Sequence, residues 1–211
     1  EFIDEFQQYF PTALIKKCMT FMRWEYKEHY NKSLRYYEGV DYAGPGKDDN
    51  AFVTGEMQSN NDLRIVMVEE SDEPNTVKTN RRIVAKDGDF NFRKLFVDSG
   101  GFGCGPSDEL TEKLGRKVIG LNNAKKSIDK NTERTNKILK EDLYSNAKVL
   151  MEQGKIPMID SLPLLNSLRS MTFEYTPGKR FVIKGKNSHL AEAFVRVCWA
   201  SKAKSLNLYV F

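Results

Sequence analysis

Two aspartates each close an apolar run and open a glycine-rich turn. Asp41 does so in Tyr36-Tyr37-Glu38-Gly39-Val40-Asp41-Tyr42-Ala43-Gly44, and Asp98 in Leu95-Phe96-Val97-Asp98-Ser99-Gly100-Gly101-Phe102-Gly103. A buried strand that ends on a carboxylate delivers it to the rim of a sheet. Two such strands lying side by side offer hard oxygen donors that can hold divalent cations against a phosphate. A third segment adds to them. A helix from about residue 188 to 202 carries Leu190, Phe194, Val197 and Ser201 on the face expected to meet the sheet. His189, Glu192 and Arg196 fall on the other face at spacings of three and four. That helix can aim His189 and Glu192 along one line toward Asp41 and Asp98, so four ligands from three segments converge. Two ions about 3.5–4 Å apart can activate a water and stabilise the leaving oxygen of a phosphodiester. The chemistry to test is therefore phosphoryl chemistry on a polyanion.

Strands and helices must place these groups. The pattern predicts strands over 34–41, 51–57 and 63–69, the last two joined by Gln58-Ser59-Asn60-Asn61-Asp62, as an antiparallel meander. A polar helix over about 75–86 precedes the Asp98 strand. A short helix opened by Pro106-Ser107-Asp108, and a strand over 117–121, follow it and extend the sheet in parallel. The longest helix is expected from about Asp129 to Gln153, stopped by Gly154. Segments 171–175 and 180–184 flank Thr176-Pro177-Gly178-Lys179 as a hairpin. Residues 1–33 read as a lead-in, helical from Thr12 to about Tyr30, and residues 34–211 as the main domain. The fold class is α/β, a mixed sheet flanked by helices.

Composition sets the outer limits. The 211 residues are 40% hydrophobic and 29% charged, enough for a real core in a soluble protein, and the net charge of +4 permits nucleic-acid binding without demanding it. Cys18, Cys104 and Cys198 have no metal-ligand or CxxC spacing and read as reduced thiols. There is no membrane-length apolar run and no signal peptide, so an intracellular protein is expected. Glu1 stands where Met would open a complete chain, which predicts a piece of a longer one. Gly44-Pro45-Gly46-Lys47 imitates a phosphate loop, but Asp48 stands where Ser or Thr must bind magnesium. Gly101-Phe102-Gly103-Cys104-Gly105 lacks the third glycine of a dinucleotide fingerprint. No ATP or NAD site is expected.

The order of these motifs over nearly the whole chain resembles the C-terminal nuclease domain of the large terminase subunit of tailed viruses. Gly39-Val40-Asp41-Tyr42-Ala43-Gly44-Pro45-Gly46-Lys47-Asp48-Asp49 is similar to that family's first acidic motif. Val97-Asp98-Ser99-Gly100-Gly101-Phe102-Gly103 is similar to its second, and His189-Leu190-Ala191-Glu192-Ala193 sits where its third falls. The lead-in Phe2-Ile3-Asp4 to Phe10-Pro11-Thr12-Ala13-Leu14-Ile15 resembles the segment that joins the family's packaging ATPase to its nuclease. The resemblance implies a ribonuclease H-like fold. It also implies a metal-dependent endonuclease that cuts concatemeric double-stranded DNA in the host cytoplasm during genome packaging, with two Mg²⁺ or Mn²⁺ ions. Asp41, Asp98 and Glu192 would be metal ligands, with His189 where many relatives carry a carboxylate. An imidazole favours Mn²⁺ more than a carboxylate does. Implied partners are an N-terminal ATPase domain, the portal and the small terminase subunit, with a monomer expected for the isolated domain.

Ordinary readings stand beside these. Asp before Gly is common turn chemistry, and an acid in the first turn of a helix, as at Glu192, is favoured by the dipole. Asp48, Asp49 and Asp108 read as solvated. Lys125, Lys126, Lys179, Arg180, Lys184 and Lys186 are candidates for phosphate contacts, which are weakly sequence-specific and salt-sensitive. The alternative functions are a junction resolvase or integrase-type nuclease of the same fold, and a non-catalytic module that binds DNA or a portal.

Overall fold

The computed structural model of the chain describes residues 7–44, 49–126, 138–175 and 181–202. In chain order the elements are α1 (Thr12–Cys18), β1 (Met19–Phe21), α2 (Tyr26–His29), β2 (Arg35–Asp41), β3 (Asn50–Met57), β4 (Leu63–Ser71), α3 (Thr76–Phe90) and β5 (Lys94–Asp98). Then come α4 (Cys104–Leu114), β6 (Val118–Leu121), α5 (Leu139–Glu152), β7 (Met158–Ile159), α6 (Leu162–Arg169), β8 (Thr172–Tyr175), β9 (Phe181–Lys184) and α7 (His189–Cys198). Seven strands form one sheet in the order β1-β7-β4-β3-β2-β5-β6, and β8 and β9 form a separate antiparallel pair.

The antiparallel meander β2-β3-β4 and the parallel extension through β5 and β6 are both present. Every residue of β3 is buried, as the middle strand of a sheet covered on both faces must be. One face packs against α1, α5, α6 and α7 through Ile15, Leu143, Leu164, Leu168 and Phe194. The other packs against α3 and α4 through Ile83, Phe90 and Leu110. Residues of β2 alternate between these layers. Tyr37 joins the first core, and Tyr36 and Val40 the second. Asp41 therefore lies on the α7 side and Glu38 on the α3 side.

Local chemistry sets several boundaries. Asn75 caps α3 by accepting from the amides of Val77 and Lys78, and Asn91 ends it in the left-handed conformation at φ 48°. Ser161 caps α6 by accepting from the Leu164 amide.

Three expectations are corrected. The single lead-in helix does not form. After Cys18 the chain turns extended, and β1 pairs with β7 at the edge of the main sheet, while Phe10, Ile15 and Cys18 lie in the core. The apolar residues at near-helical spacing serve first a helix and then a strand. The long helix begins at Leu139, because Ile138 is extended (φ −103°, ψ 158°) and the chain cannot pass through it as a helix; residues 127–137 lie outside the described ones. Finally, α7, expected to about residue 202, ends at Cys198, where a 3-10 turn over Trp199–Ser201 takes over. Residues 190–198 are all buried, with α5 and α6 packed against the helix. The turn expected at residues 176–179, with Lys179, and Arg180, expected at the start of the following strand, also lie outside the described residues.

Candidate active site

β2 and β5 are parallel neighbours with Val40 opposite Val97, so Asp41 and Asp98 follow side by side at the same, C-terminal, rim of the sheet. This is the rim at which open α/β sheets place their ligands. Two glycines make the surroundings possible. A Cβ on Gly39 would stand 2.0 Å from the Ala193 carbonyl oxygen and 2.8 Å from the Val197 amide nitrogen. Only glycine lets α7 lie this close across β2. A Cβ on Gly103 would stand 2.6 Å from the Asp98 carbonyl oxygen and 2.9 Å from its Oδ2, so the turn after β5 folds back over its own aspartate. The Gly100 amide donates to Asp98 Oδ1 at 3.2 Å.

With α7 so placed, its polar line runs through the site. His189 Nδ1 is 2.8 Å from Asp41 Oδ2. With Asp41 ionised its oxygen accepts and Nδ1 is the donor. Arg196 is 0% exposed. Its Nη1 lies 3.0 Å from Asp41 Oδ1 and 3.1 Å from Glu192 Oε2, and its Nη2 lies 2.9 Å from Asp98 Oδ1. Three carboxylates thus meet on one guanidinium. Glu192 is further engaged. Its Oε1 accepts from Tyr144 at 2.8 Å and from Lys140 at 2.9 Å, and its Oε2 from Asn123 Nδ2 at 3.0 Å. Three acids against Arg196 and Lys140 leave one net negative charge, setting His189 aside.

The electrostatics follow from this crowding. Burial pushes the Asp41 carboxyl up, and Arg196 and His189 only partly offset that. Burial also pushes Glu192 up, but Arg196, Lys140 and Asn123 outweigh it and bring the carboxyl from an ordinary 4.5 to about 2. Burial works against the Arg196 charge, and the acids around it more than compensate, holding its pKa above the usual value. Tyr144 is raised by burial and by Glu192, and stays a hydrogen-bond donor.

The donor set suits a hard divalent cation at Asp41 and Asp98. Both are carboxylates at one rim, and Asp98 Oδ2 has no hydrogen-bond partner among the described residues. As the side chains stand, no three His, Cys, Asp or Glu among the described residues group as a metal cage, since the guanidinium stands where their oxygens meet. Beside His189 opens a cleft of about 350 Å³ lined by Asp49, Glu70, Pro163, Asn166, Ser167 and Asn187.

The structure therefore brings together Asp41, Asp98, His189 and Glu192. Lys125 and Lys126 are exposed on the turn after β6, two and three residues beyond Asn123. Lys184 is exposed and paired with Glu174 across the hairpin, and Lys186 is exposed on the approach to α7. Sequence reasoning missed Arg196, Lys140, Tyr144 and Asn123 as members of the site. For Arg196 the signal was present in its spacing of four from Glu192. The other three come from distant segments with no local mark.

Solved structures share this architecture. The large terminase nuclease from thermophilic phage G20c superposes with a TM-score of 0.72 at 18% identity, over 92% of this chain and 98% of that one. It has also been solved with bound magnesium, cobalt and zinc. The large terminase nuclease domain of Thermus phage P74-26 gives 0.64 at 18% identity, over 88% and 92% of the two chains. The HK97 bacteriophage large terminase gives 0.61 at 9% identity, over 91% of this chain and 43% of that one. At these identities the likeness is one of fold, and the fold is ribonuclease H-like. No family model matches the sequence, and no curated protein is similar to it. Among the described residues no helix is long and apolar enough to cross a membrane.

Proposed function

We propose that this chain is a divalent-metal-dependent endonuclease that hydrolyses phosphodiesters of double-stranded DNA, as the nuclease part of a large terminase. The observation that carries the reading is the pair Asp41 and Asp98 on adjacent parallel strands, roofed by a helix that adds an imidazole and a guanidinium. The fold likeness to terminase nucleases solved with divalent metals supports it.

In this reading Asp41 and Asp98 hold the metal, which when bound polarises the phosphate and lowers the pKa of water. The chain's own residues do the rest. His189 donates from Nδ1 to Asp41 Oδ2 and fixes the carboxylate's orientation. Arg196 pairs with both aspartates and places fixed positive charge beside the reacting phosphate. The net negative charge of the cluster favours a divalent cation over none. Lys125 and Lys126, exposed next to the site, contact the DNA backbone, and a net charge of +4 makes binding by the domain alone weak and salt-sensitive. In the full protein the partners are an ATPase domain, the portal and the small terminase subunit, in the host cytoplasm.

The test is plasmid cleavage in Mg²⁺, Mn²⁺ and EDTA, with Asp98→Ala alongside. Metal-requiring cleavage that disappears in the variant supports the reading. Cleavage retained in Asp98→Ala removes that residue from the site. Strong preference for a four-way junction over linear duplex moves the assignment to a resolvase.

A further inference from the structure

Arg196 is the residue of the site that a carboxylate-and-metal account does not ask for. It lies where Asp41 Oδ1, Asp98 Oδ1 and Glu192 Oε2 meet, at 2.9–3.1 Å from each. It is also fixed there. Its side chain is wholly buried, and α7 is held against β2 on both sides of it by the close approach of Ala193 and Val197 to Gly39. Removing this guanidinium would take a cation from three carboxylates at once and leave Asp98 with no ion pair among the described residues, which is the expensive way to break such a cluster. Its planar fork meets two aspartates and a glutamate at once, which a flexible lysine could not do in the same geometry. Glu192 meanwhile has four donors on its two oxygens, from Arg196, Asn123, Tyr144 and Lys140, and little capacity left for an ion.

We propose that Arg196 is a built-in second cation: it permanently occupies the inner position among Asp41, Asp98 and Glu192, so the site takes one divalent ion where the family resemblance implies two. Asp41 and Asp98 hold that ion with the oxygen capacity the guanidinium leaves. Glu192 is a positioning residue that anchors Arg196, not a metal ligand. The inference rests on the metal-dependent nuclease reading and specifies how the same site is charged.

The experiment counts Mn²⁺ bound per folded chain, by calorimetric titration checked with electron paramagnetic resonance of free Mn²⁺. The proteins are wild type, Arg196→Met, Arg196→Lys and Asp98→Ala. Wild type is expected to bind one ion and Arg196→Lys one. Arg196→Met, with a side chain of similar length and no charge, is expected to bind two. Its melting temperature should also rise more on Mn²⁺ addition, by roughly 5–10 °C at a hundredfold excess over Kd. If Arg196→Met folds only with Mn²⁺ present, two ions in the refolded protein support the proposal and one overturns it. Two ions in wild type overturn it while leaving the nuclease reading intact. No ion in wild type, or binding unchanged in Asp98→Ala, removes the metal reading itself and this inference with it.

Discussion

Strand β2 carries two buried carboxylates three residues apart, on opposite faces, and only one of them sits in a site. Glu38, 1% exposed, accepts from Lys86 at 2.8 Å and from Thr54 Oγ1 at 2.8 Å. Lys86 also reaches Glu69, which Arg82 holds at 2.8 Å. That cluster closes on itself, with two acids and two cations, in the middle of the strand beneath α3. The Asp41 cluster lies at the strand's end, keeps one net negative charge and borders a cleft. Burial and ion pairing are common to both. What separates them is residual charge and place at the C-terminal rim, and those are the features to break.

The largest contrast should be in activity. Asp41→Asn and Asp98→Asn are each expected to lower metal-dependent cleavage by at least ~10³-fold. Glu38→Gln, which keeps the shape and loses the charge on the other face, should leave cleavage unchanged. Plasmid nicking rates at matched folded concentration decide this. Equal losses on both faces would mean that the two clusters act only through stability.

Stability should show the reverse order. Lys86→Met leaves Glu38 buried without its main cation, an arrangement that costs about 3–5 kcal/mol. Urea unfolding should show this loss with Mn²⁺ or EDTA alike, because the α3 side holds no metal in this reading. A loss that Mn²⁺ reverses would join the two clusters into one system.

Acid should also tell the clusters apart. Glu192 is held at about 2 against an ordinary 4.5, so it contributes stability that is present above pH 4.5 and lost as pH falls toward 2. The loss is about 3 kcal/mol for a shift of that size. Glu38 works in the opposite sense. Burial raises its carboxyl above the ordinary value, so protonation on the way down relieves a cost. Unfolding free energies in EDTA should therefore fall less steeply between pH 5 and 2.5 in Glu192→Gln than in wild type, whereas Glu38→Gln should lose the gain in stability that wild type shows as pH falls toward 4.5 from above. Matching slopes in all three would remove this account.

How far the sequence reached follows the same division. Asp41 and Asp98 were legible because their signal is local: an apolar run, a carboxylate, a glycine turn. The meander β2-β3-β4 and the strands after it were legible from period and turn residues. β1 and β7, three and two residues long, were not, because such strands exist by pairing and leave no pattern. Arg196 was visible as a member of a polar helical line, but an arginine on such a line ordinarily faces water. Its burial depends on α5 and α6 closing over α7, which is tertiary and has no local sign. The anchoring of Glu192 by Asn123, Lys140 and Tyr144 is hidden for the same reason.

The smallest expected effect separates two roles for His189. Its Nδ1 donates to Asp41 Oδ2, the arrangement by which a neighbour orients a metal-binding carboxylate. An imidazole that acts this way shifts metal affinity through Asp41 whatever the ion. An imidazole that binds the ion directly matters more for Mn²⁺ than for Mg²⁺. His189→Ala should weaken activity about 10–100-fold in both ions if it orients. His189→Asn, whose amide can donate from nearly the Nδ1 position, should recover much of that loss. A loss confined to Mn²⁺ that Asn does not recover would make His189 a ligand. It would then belong with Asp98 in contacting the metal, whereas recovery by Asn places it with Arg196 among the groups that hold the carboxylates in position.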